Sequence, residues 1–212
     1  VEQSVTDYTR YFEANRFQGA ELGDPLPRVV LVPGLGMFTA GKDRRTAGIV
    51  SDIYHHTIDV LGNAEAFGTY VSLSAKDAFD VEYWPLELYK LTLAPPEKEL
   101  ARRIALVTGA GSGIGRAIAR RLAAEGAHVV AGDLDGASAR RTADEIVKEV
   151  GGGRGLGLDM DVTREASVRA AFEETVLAYG GLDVLVSNAG IAHSSPVVRL
   201  GLADWERSFA VN

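Results

Sequence analysis

Apolar residues follow two different periods in the second half of the chain. Short apolar runs typical of buried strands occupy residues 104–108, 128–132, 156–160 and 184–186. Stripes at helical spacing lie between these runs, over residues 114–122, 143–150 and 168–179. Strands alternating with helices predict βαβ units and an α/β fold built on a parallel sheet. Because such crossovers are right-handed, we expect helices on both faces of that sheet.

The first half of the chain gives a weaker pattern that does not amount to a complete domain. We predict a helix over residues 4–16, a strand over 28–32 that stops at Pro33, and a long helix over 42–61. Residues 92–100 contain adjacent prolines and then a charge run, which indicates an extended connector. The predicted organisation is therefore 1–91, a linker at 92–100, and a second domain at 101–212.

Composition narrows the class of protein further. The 212 residues are 46% hydrophobic and 24% charged, which is ordinary for a soluble globular protein. The absence of cysteine excludes a disulfide framework and a thiolate zinc site. A net charge of −7 argues against nucleic acid as a partner. We see no leader sequence and no membrane span, so we expect no membrane partner and a cytoplasmic location.

A glycine-rich segment between a predicted strand and a predicted helix is the strongest motif. It reads Thr108-Gly109-Ala110-Gly111-Ser112-Gly113-Ile114-Gly115. Glycine allows a sharp turn and a close approach of the backbone to a ligand. The helix start beyond it offers unpaired N–H groups and the positive end of the helix dipole, which suits a pyrophosphate. The same glycine spacing also occurs in ordinary turns of other α/β proteins. The surrounding sequence therefore decides whether this segment is interpreted as a dinucleotide site.

The context is an acidic residue at the end of the next strand. Asp133 follows Gly109 by 24 residues, and a carboxylate there accepts hydrogen bonds from ribose hydroxyls. It would repel a 2′-phosphate, and neither Ser112 nor Leu134 supplies a positive charge to offset that repulsion. The sequence therefore predicts NAD rather than NADP as the cofactor, with Ile114 also contributing contacts.

These residues resemble the short-chain dehydrogenase/reductase family. Its glycine pattern is met by Thr108, Gly109, Gly113 and Gly115, and further family motifs are met by Asp161-Val162, Asn188-Ala189-Gly190 and Asn212. The resemblance implies a doubly wound (Rossmann) sheet, adenine beside Asp161 and Val162, and nicotinamide beside the Asn188 motif. It also implies that Asn212 is a catalytic residue. Trp205, Phe209 and Asn212 share one helix face, which we expect to pack on the sheet.

The family's catalytic Ser, Tyr and Lys follow the helix that carries this asparagine. Tyr179 is no substitute, because Asp183 rather than lysine stands four residues later. We therefore expect the sequence to be a segment of a longer dehydrogenase, with only the first half of the sheet and no hydride transfer of its own. The alternative is a non-catalytic dinucleotide-binding or assembly segment.

The first 91 residues resemble a different kind of enzyme. The segments that carry this resemblance are Pro33-Gly34-Leu35-Gly36, 38–42, 54–58 and 79–87. Together with the order of the two halves, they are similar to bifunctional rhamnulose-1-phosphate aldolase/alcohol (lactaldehyde) dehydrogenases, with residues 1–91 as the remnant of a class II aldolase-type domain. The resemblance implies aldol cleavage, NAD-dependent oxidation of a small hydroxy-aldehyde or alcohol substrate, and a homo-oligomer. It places zinc only in an aldolase part upstream of Val1.

Within this chain we predict no metal site. His55 and His56 are neighbours on a predicted helix, so their side chains diverge by about 100° and make poor joint ligands. Carboxylates stand at helix-pair spacing from them, at Asp59 and Asp52. We interpret both histidines as ordinary surface or half-buried residues.

Overall fold

The computed structural model describes residues 2–212, which form two compact units with separate cores. The N-terminal unit contains residues 2–41 and Thr46–Pro96, and the C-terminal unit contains Lys42–Arg45 and Glu97–Asn212. The main division falls between Pro96 and Glu97.

The N-terminal unit is mostly helical. The elements of this part of the chain, in order, are α1 (Glu2–Asn15), β1 (Val29–Val32), β2 (Gly36–Thr39), α2 (Arg44–Phe67), α3 (Ala75–Glu82) and α4 (Pro85–Thr92). The N-terminal unit contains α2 from Thr46 onward. The core is small and aromatic: Phe79 is fully buried and stacks on Tyr83 with ring centroids 4.4 Å apart, while Phe12 of α1 packs against both rings. This cluster ties α1 to α3.

Two expectations for this unit differ from the structure. The long helix begins at Arg44 and runs to Phe67, beyond the predicted end at residue 61. The sequence also gave no indication of β2, which pairs antiparallel with β1 across a turn that holds Gly34 at a φ of +77°. Val29 lies opposite Thr39 in this hairpin, and Val32 lies opposite Gly36.

The C-terminal unit contains a parallel sheet of four strands. Its elements are β3 (Ile104–Thr108), α5 (Gly113–Ala124), β4 (His128–Asp133), α6 (Gly136–Val150), β5 (Gly155–Asp159), α7 (Glu165–Tyr179), β6 (Val184–Val186), a short 3₁₀ turn (Val197–Arg199) and α8 (Leu202–Val211). The strand order is β5-β4-β3-β6. The chain therefore builds outward from β3 and then returns to its other side, which makes the carboxyl end of β3 a topological switch point.

Alternate residues of each strand contribute to different cores, so both faces of the sheet are covered. Val107 and Val129 pack with alanines of α5 and α6, whereas Leu106 and Val130 pack with Ala171 of α7. The predicted α/β fold with a parallel sheet and helices on both faces is confirmed. None of the described helices combines the length and apolar character needed to cross a bilayer.

Candidate functional site

The glycine-rich segment lies at the junction between β3 and α5. Thr108 ends the strand, Ser112 is the N-cap of the helix, and Gly109 has a φ of +65° that disfavours any side chain. A Cβ atom on Gly109 would lie 2.9 Å from the Cα of Ala189, and one on Gly115 would lie 2.2 Å from the carbonyl oxygen of Gly109. The turn is therefore closed to side chains on its inner side.

The start of α5 is open to an anion. Ser112 makes no capping hydrogen bond with its side chain, and the first turn of the helix contains no acidic residue. The backbone N–H groups of that turn are thus left to a ligand, at the positive end of the helix dipole. This arrangement fits the pyrophosphate of a dinucleotide.

Asp133 points from the end of β4 toward the glycine segment. Its Oδ2 accepts a hydrogen bond of 2.8 Å from the backbone N–H of Gly111, and its Oδ1 accepts one of 2.9 Å from the N–H of Asp135. Both oxygens keep lone pairs for further donors such as ribose hydroxyls. Leu134, beside it, is largely exposed and brings no positive charge.

The ends of β3 and β6 are joined through one hydroxyl. Thr108 Oγ1 accepts hydrogen bonds from the backbone N–H groups of Asn188 and Ala189, at 3.0 and 2.9 Å. Asn188 Nδ2 donates in return to the carbonyl oxygen of Thr108 at 2.9 Å. The segment that continues to Gly190 is thereby held beside the glycine turn.

Asp161 and Val162 follow β5 on the other side of the site. Asp161 Oδ1 accepts hydrogen bonds from the hydroxyl and the backbone N–H of Thr163, at 2.7 and 3.0 Å. These bonds hold the pKa of Asp161 below its ordinary value, and the positive charges of Arg164 and Arg207 lower it further. The carboxyl group is therefore held as an anion.

One cleft of about 470 Å³ brings these residues together at the carboxyl ends of the strands. All twelve residues predicted to bind a cofactor line it: Gly109, Ser112, Gly113, Ile114, Gly115, Asp133, Leu134, Asp161, Val162, Asn188, Ala189 and Gly190. Four lining residues had no sequence signal of their own: Met160, Ile191, Arg207 and Val211. A larger groove of about 740 Å³ follows α7, and none of the predicted residues lines it.

Asn212 lies outside the lining of this cleft and contacts the loop that follows β6. Its Oδ1 accepts a hydrogen bond from the N–H of Ile191 and its Nδ2 donates to the carbonyl oxygen of Ile191, both at 2.9 Å. The amide thus fixes the end of α8 to that loop.

The expectation that Trp205 and Phe209 pack on the sheet was wrong. Trp205 is 51% exposed and Phe209 is 70% exposed, and the two rings contact each other instead, with centroids 4.9 Å apart. The half-buried residues of α8 are Asp204, Ser208 and Val211. The helix therefore presents an apolar face outward.

No group of three or more histidine, aspartate or glutamate side chains suited to a metal ion occurs within residues 2–212. His55 is exposed, and its Nδ1 lies 2.9 Å from the carbonyl oxygen of Ser51 in the same helix. This contact is local to the helix.

Comparison with known protein families assigns each half of the chain. Residues 1–91 match the family described as "Aldolase class II, second domain", and residues 103–212 match the family described as "short chain dehydrogenase". An aldolase-type segment therefore precedes a dehydrogenase segment, in the order expected from the sequence.

Individual proteins are also similar to this chain. The chain is 46% identical over 211 residues to the "Uncharacterized oxidoreductase YuxG" of Bacillus subtilis. The matched region covers 100% of this chain and 31% of YuxG. It is 40% identical over 116 residues to the 3-oxoacyl-[acyl-carrier-protein] reductase FabG of Aquifex aeolicus, covering 55% of this chain and 46% of that protein. The chain thus spans less than half the length of these relatives.

A solved structure is also similar to about half of the chain. The crystal structure of a 3-ketoacyl-(acyl-carrier-protein) reductase from Brucella melitensis complexed with NADH is 40% identical, with a TM-score of 0.48, and covers 51% of this chain and 43% of that chain. From the family match over residues 103–212, the chain belongs to the short-chain dehydrogenase family.

Proposed function

We propose that the C-terminal unit binds NAD and forms the cofactor half of a dehydrogenase. One observation carries the proposal: the twelve residues predicted to bind the cofactor line one cleft, at the switch point of a parallel sheet. The open start of α5, which leaves backbone N–H groups for a pyrophosphate, supports it.

Each part of the cleft has a proposed role. The glycine turn and the N–H groups at the start of α5 bind the pyrophosphate, with Ser112 and Ile114 alongside. Asp133 accepts hydrogen bonds from the adenosine ribose, Asp161 and Val162 flank adenine, and the segment from Asn188 to Gly190 lines the nicotinamide side. Bound NAD supplies the hydride acceptor, while these residues orient it and hold it against the switch point.

We propose NAD over NADP because of the charge at Asp133. A 2′-phosphate on the adenosine ribose would face this carboxylate, and neither Ser112 nor Leu134 offers a cation. Asn212 is assigned to the active site by family resemblance, and its bonds to Ile191 keep the loop after β6 in place.

For the whole protein we propose NAD-dependent oxidation of a small hydroxy-aldehyde or alcohol, coupled to aldol cleavage of a ketose 1-phosphate such as rhamnulose 1-phosphate. The aldolase-type match over residues 1–91, followed by the dehydrogenase match over residues 103–212, supports a fusion of two activities. The zinc of the aldolase reaction would be held by residues outside this chain. We also propose that the protein is a cytoplasmic homo-oligomer.

Nucleotide titration of Asp133→Ala tests the cofactor proposal. NADH and NADPH binding are followed by fluorescence. We expect the wild-type chain to bind NADH at least about tenfold more tightly than NADPH, since a charged hydrogen-bond partner is worth roughly 1.5–3 kcal/mol. Asp133→Ala should lose most of that preference by weakening NADH binding.

Asp144→Ala is the matched control, because Asp144 is an exposed carboxylate of α6 that does not line the cleft. It should bind both nucleotides as the wild type does. A wild-type chain that is folded by circular dichroism and binds neither nucleotide would refute the proposal.

A further inference from the structure

One peptide unit of the glycine turn is held at both of its polar ends by side chains. This unit joins Ala110 to Gly111. Its N–H group donates to Asp133 Oδ2 at 2.8 Å, and its carbonyl oxygen accepts a hydrogen bond of 2.9 Å from the hydroxyl of Thr142. Asp133 ends β4, whereas Thr142 lies in α6. The peptide unit is therefore fixed from a strand and from a helix at once.

The hydrogen bond from Thr142 is buried inside the C-terminal unit. Both Thr142 and Ala110 are buried, and Thr142 does not line the cleft. The same hydroxyl lies 3.2 Å from the carbonyl oxygen of Ser138, the local contact that a helical threonine commonly makes with its own helix. A hydroxyl donates only one proton, and its shorter bond is the one to Ala110. Removing the hydroxyl would therefore take a donor away from a buried carbonyl oxygen.

The surroundings of this peptide unit leave little room for it to move sideways. A Cβ atom on Gly111 would lie 2.8 Å from the Cβ of Ser138 and 2.9 Å from Asp133 Oδ2. The N–H of Ala110 donates to the carbonyl oxygen of Gly132 at 3.0 Å. Rotation of the peptide plane is the freedom that remains. Because the peptide is planar, a bond that holds its carbonyl oxygen also sets the direction of its N–H group.

We propose that Thr142 is a positioning residue that sets the cofactor preference of the cleft through Asp133. Its hydroxyl holds the carbonyl oxygen of Ala110, which aims the N–H of Gly111 at Asp133 Oδ2. That N–H group fixes the carboxylate in the orientation that accepts the adenosine ribose and opposes a 2′-phosphate. The role rests on the proposed NAD site and adds a residue that controls it without touching the nucleotide.

Two substitutions of Thr142 separate its hydroxyl from its packing. Dissociation constants for NADH and NADPH are measured by fluorescence titration of the whole chain. Thr142→Val keeps the shape of the side chain and removes the hydroxyl, and it should reduce the preference for NADH from about tenfold to about threefold or less, roughly the effect of one hydrogen bond. Thr142→Ser keeps the hydroxyl and loses a methyl group. It should be less stable than the wild type and should retain the preference.

The ratio of the two dissociation constants reports selectivity and not stability. Any unfolded fraction weakens the apparent affinity for both nucleotides by the same factor, so it leaves their ratio unchanged. Thr142→Ala also removes the hydroxyl and has the highest helix propensity, and it should give the same low ratio as Thr142→Val. The selectivity of this position can thus be measured even if the valine variant does not fold.

Thr175→Val is the matched control. Thr175 is buried like Thr142, but its hydroxyl donates at 2.7 Å to the carbonyl oxygen of Ala171 in its own helix. This variant should keep the wild-type preference. In a chain that already carries Asp133→Ala, adding Thr142→Val should not change the ratio further, because the threonine acts through that carboxylate.

The outcomes distinguish the two proposals. A folded wild-type chain that binds neither nucleotide would refute the NAD site itself. A wild-type chain that prefers NADH, while Thr142→Val and Thr142→Ala keep that preference in full, would overturn the role of Thr142 and leave the NAD site intact. Loss of the preference in Thr142→Ser to the same extent as in Thr142→Val would also overturn it, because the hydroxyl would then not be the cause.

Discussion

At the scale of single residues, the C-terminal unit contains both satisfied and unsatisfied polar groups. Asp133 has backbone partners for both carboxylate oxygens. His128, at the other end of the same strand, is 5% exposed, and its Nε2 has no hydrogen-bond partner among the described residues. Its ring packs against Tyr179 with centroids 5.1 Å apart. A buried, unpaired imidazole nitrogen makes His128 sensitive to protonation.

The pKa of His128 is lowered from its ordinary value of 6.5. Burial is the main cause and the charge of Arg154 adds to it, while Asp43 and the backbone of Arg103 oppose the shift. The unfolded chain therefore binds the proton more readily than the folded one. The stability contributed by neutral His128 is present above pH 6.5 and is lost as the pH falls through the lower, folded-state pKa.

Replacing His128 should flatten the pH dependence of stability. We expect His128→Phe, which keeps a ring beside Tyr179, to reduce the loss of unfolding free energy between pH 7.5 and 5.5. The reduction is at most about 1.4 kcal/mol per pH unit, because one proton is involved. Urea unfolding at a series of pH values measures it. His56→Phe, at an exposed position of α2, should keep the wild-type slope, and an unchanged slope in His128→Phe would contradict the prediction.

At the scale of elements, α6 lies directly on β5 because that strand carries glycine where the helix crosses. A Cβ atom on Gly157 would lie 2.5 Å from the Cα of Arg140, and one on Gly155 would lie 2.4 Å from the carbonyl oxygen of Ala143. These obstacles belong to the helix backbone, so no rotation of a side chain relieves them. The same helix begins close to the cleft, since its N-cap Asp135 donates its N–H to Asp133.

Gly157→Ala should therefore force α6 away from the sheet. We expect a loss of about 1–3 kcal/mol in the free energy of unfolding, the usual effect of overpacking, measured by denaturant titration. Gly181→Ala is the matched control because a Cβ atom there meets nothing within 4 Å, and it should change stability by less than about 0.5 kcal/mol. Equal stabilities for the two variants would contradict the prediction, because they would show that α6 can shift away from β5 at little cost in free energy.

At the scale of the whole molecule, the chain exposes a large apolar surface on its last helix. Leu202, Trp205 and Phe209 of α8 are 71%, 51% and 70% exposed. Apolar patches of this kind mark protein contacts more often than free surface. Because the resemblance to short-chain dehydrogenases implies assembly through helices that include this one, the proposed homo-oligomer would cover the patch with a second copy.

Self-association should therefore depend on α8. We expect Phe209→Ser combined with Leu202→Ser to lower the average mass in light scattering by about half or more, the change from a dimer or larger assembly to a monomer. Leu177→Ser, on the groove of α7, should leave the mass unchanged; Leu177 is 86% exposed. If only Leu177→Ser lowers the mass, the contact lies along α7.

Most of the cleft was predictable from sequence because its residues follow strand ends. Gly109, Asp133, Asp161 and Asn188 each stand within three residues of the end of a strand, and parallel strands bring those positions to one edge of the sheet. The local sequence pattern therefore predicted where these residues lie, and the resemblance to a family predicted what they do.

Arg207 and the outward face of α8 were not predictable in this way. Which face of α8 meets the cleft depends on how the helix is anchored, and that anchor is the pair of bonds between Asn212 and Ile191. Apolar periodicity identified the helix but assigned Trp205 and Phe209 to the core, because periodicity does not distinguish a core face from an exposed contact face. Strand β2 was missed because four residues beginning with glycine carry almost no pattern.

The hydroxyl of Thr108 has a consequence for how fast a ligand associates. It accepts hydrogen bonds from two backbone amides of the facing segment and donates to the carbonyl oxygen of Val186, so these bonds hold the two walls of the cleft together. A binding site that is already ordered before the ligand arrives loses little conformational entropy on binding. Nucleotide capture by this chain should accordingly proceed in a single kinetic phase, with a rate linear in ligand concentration.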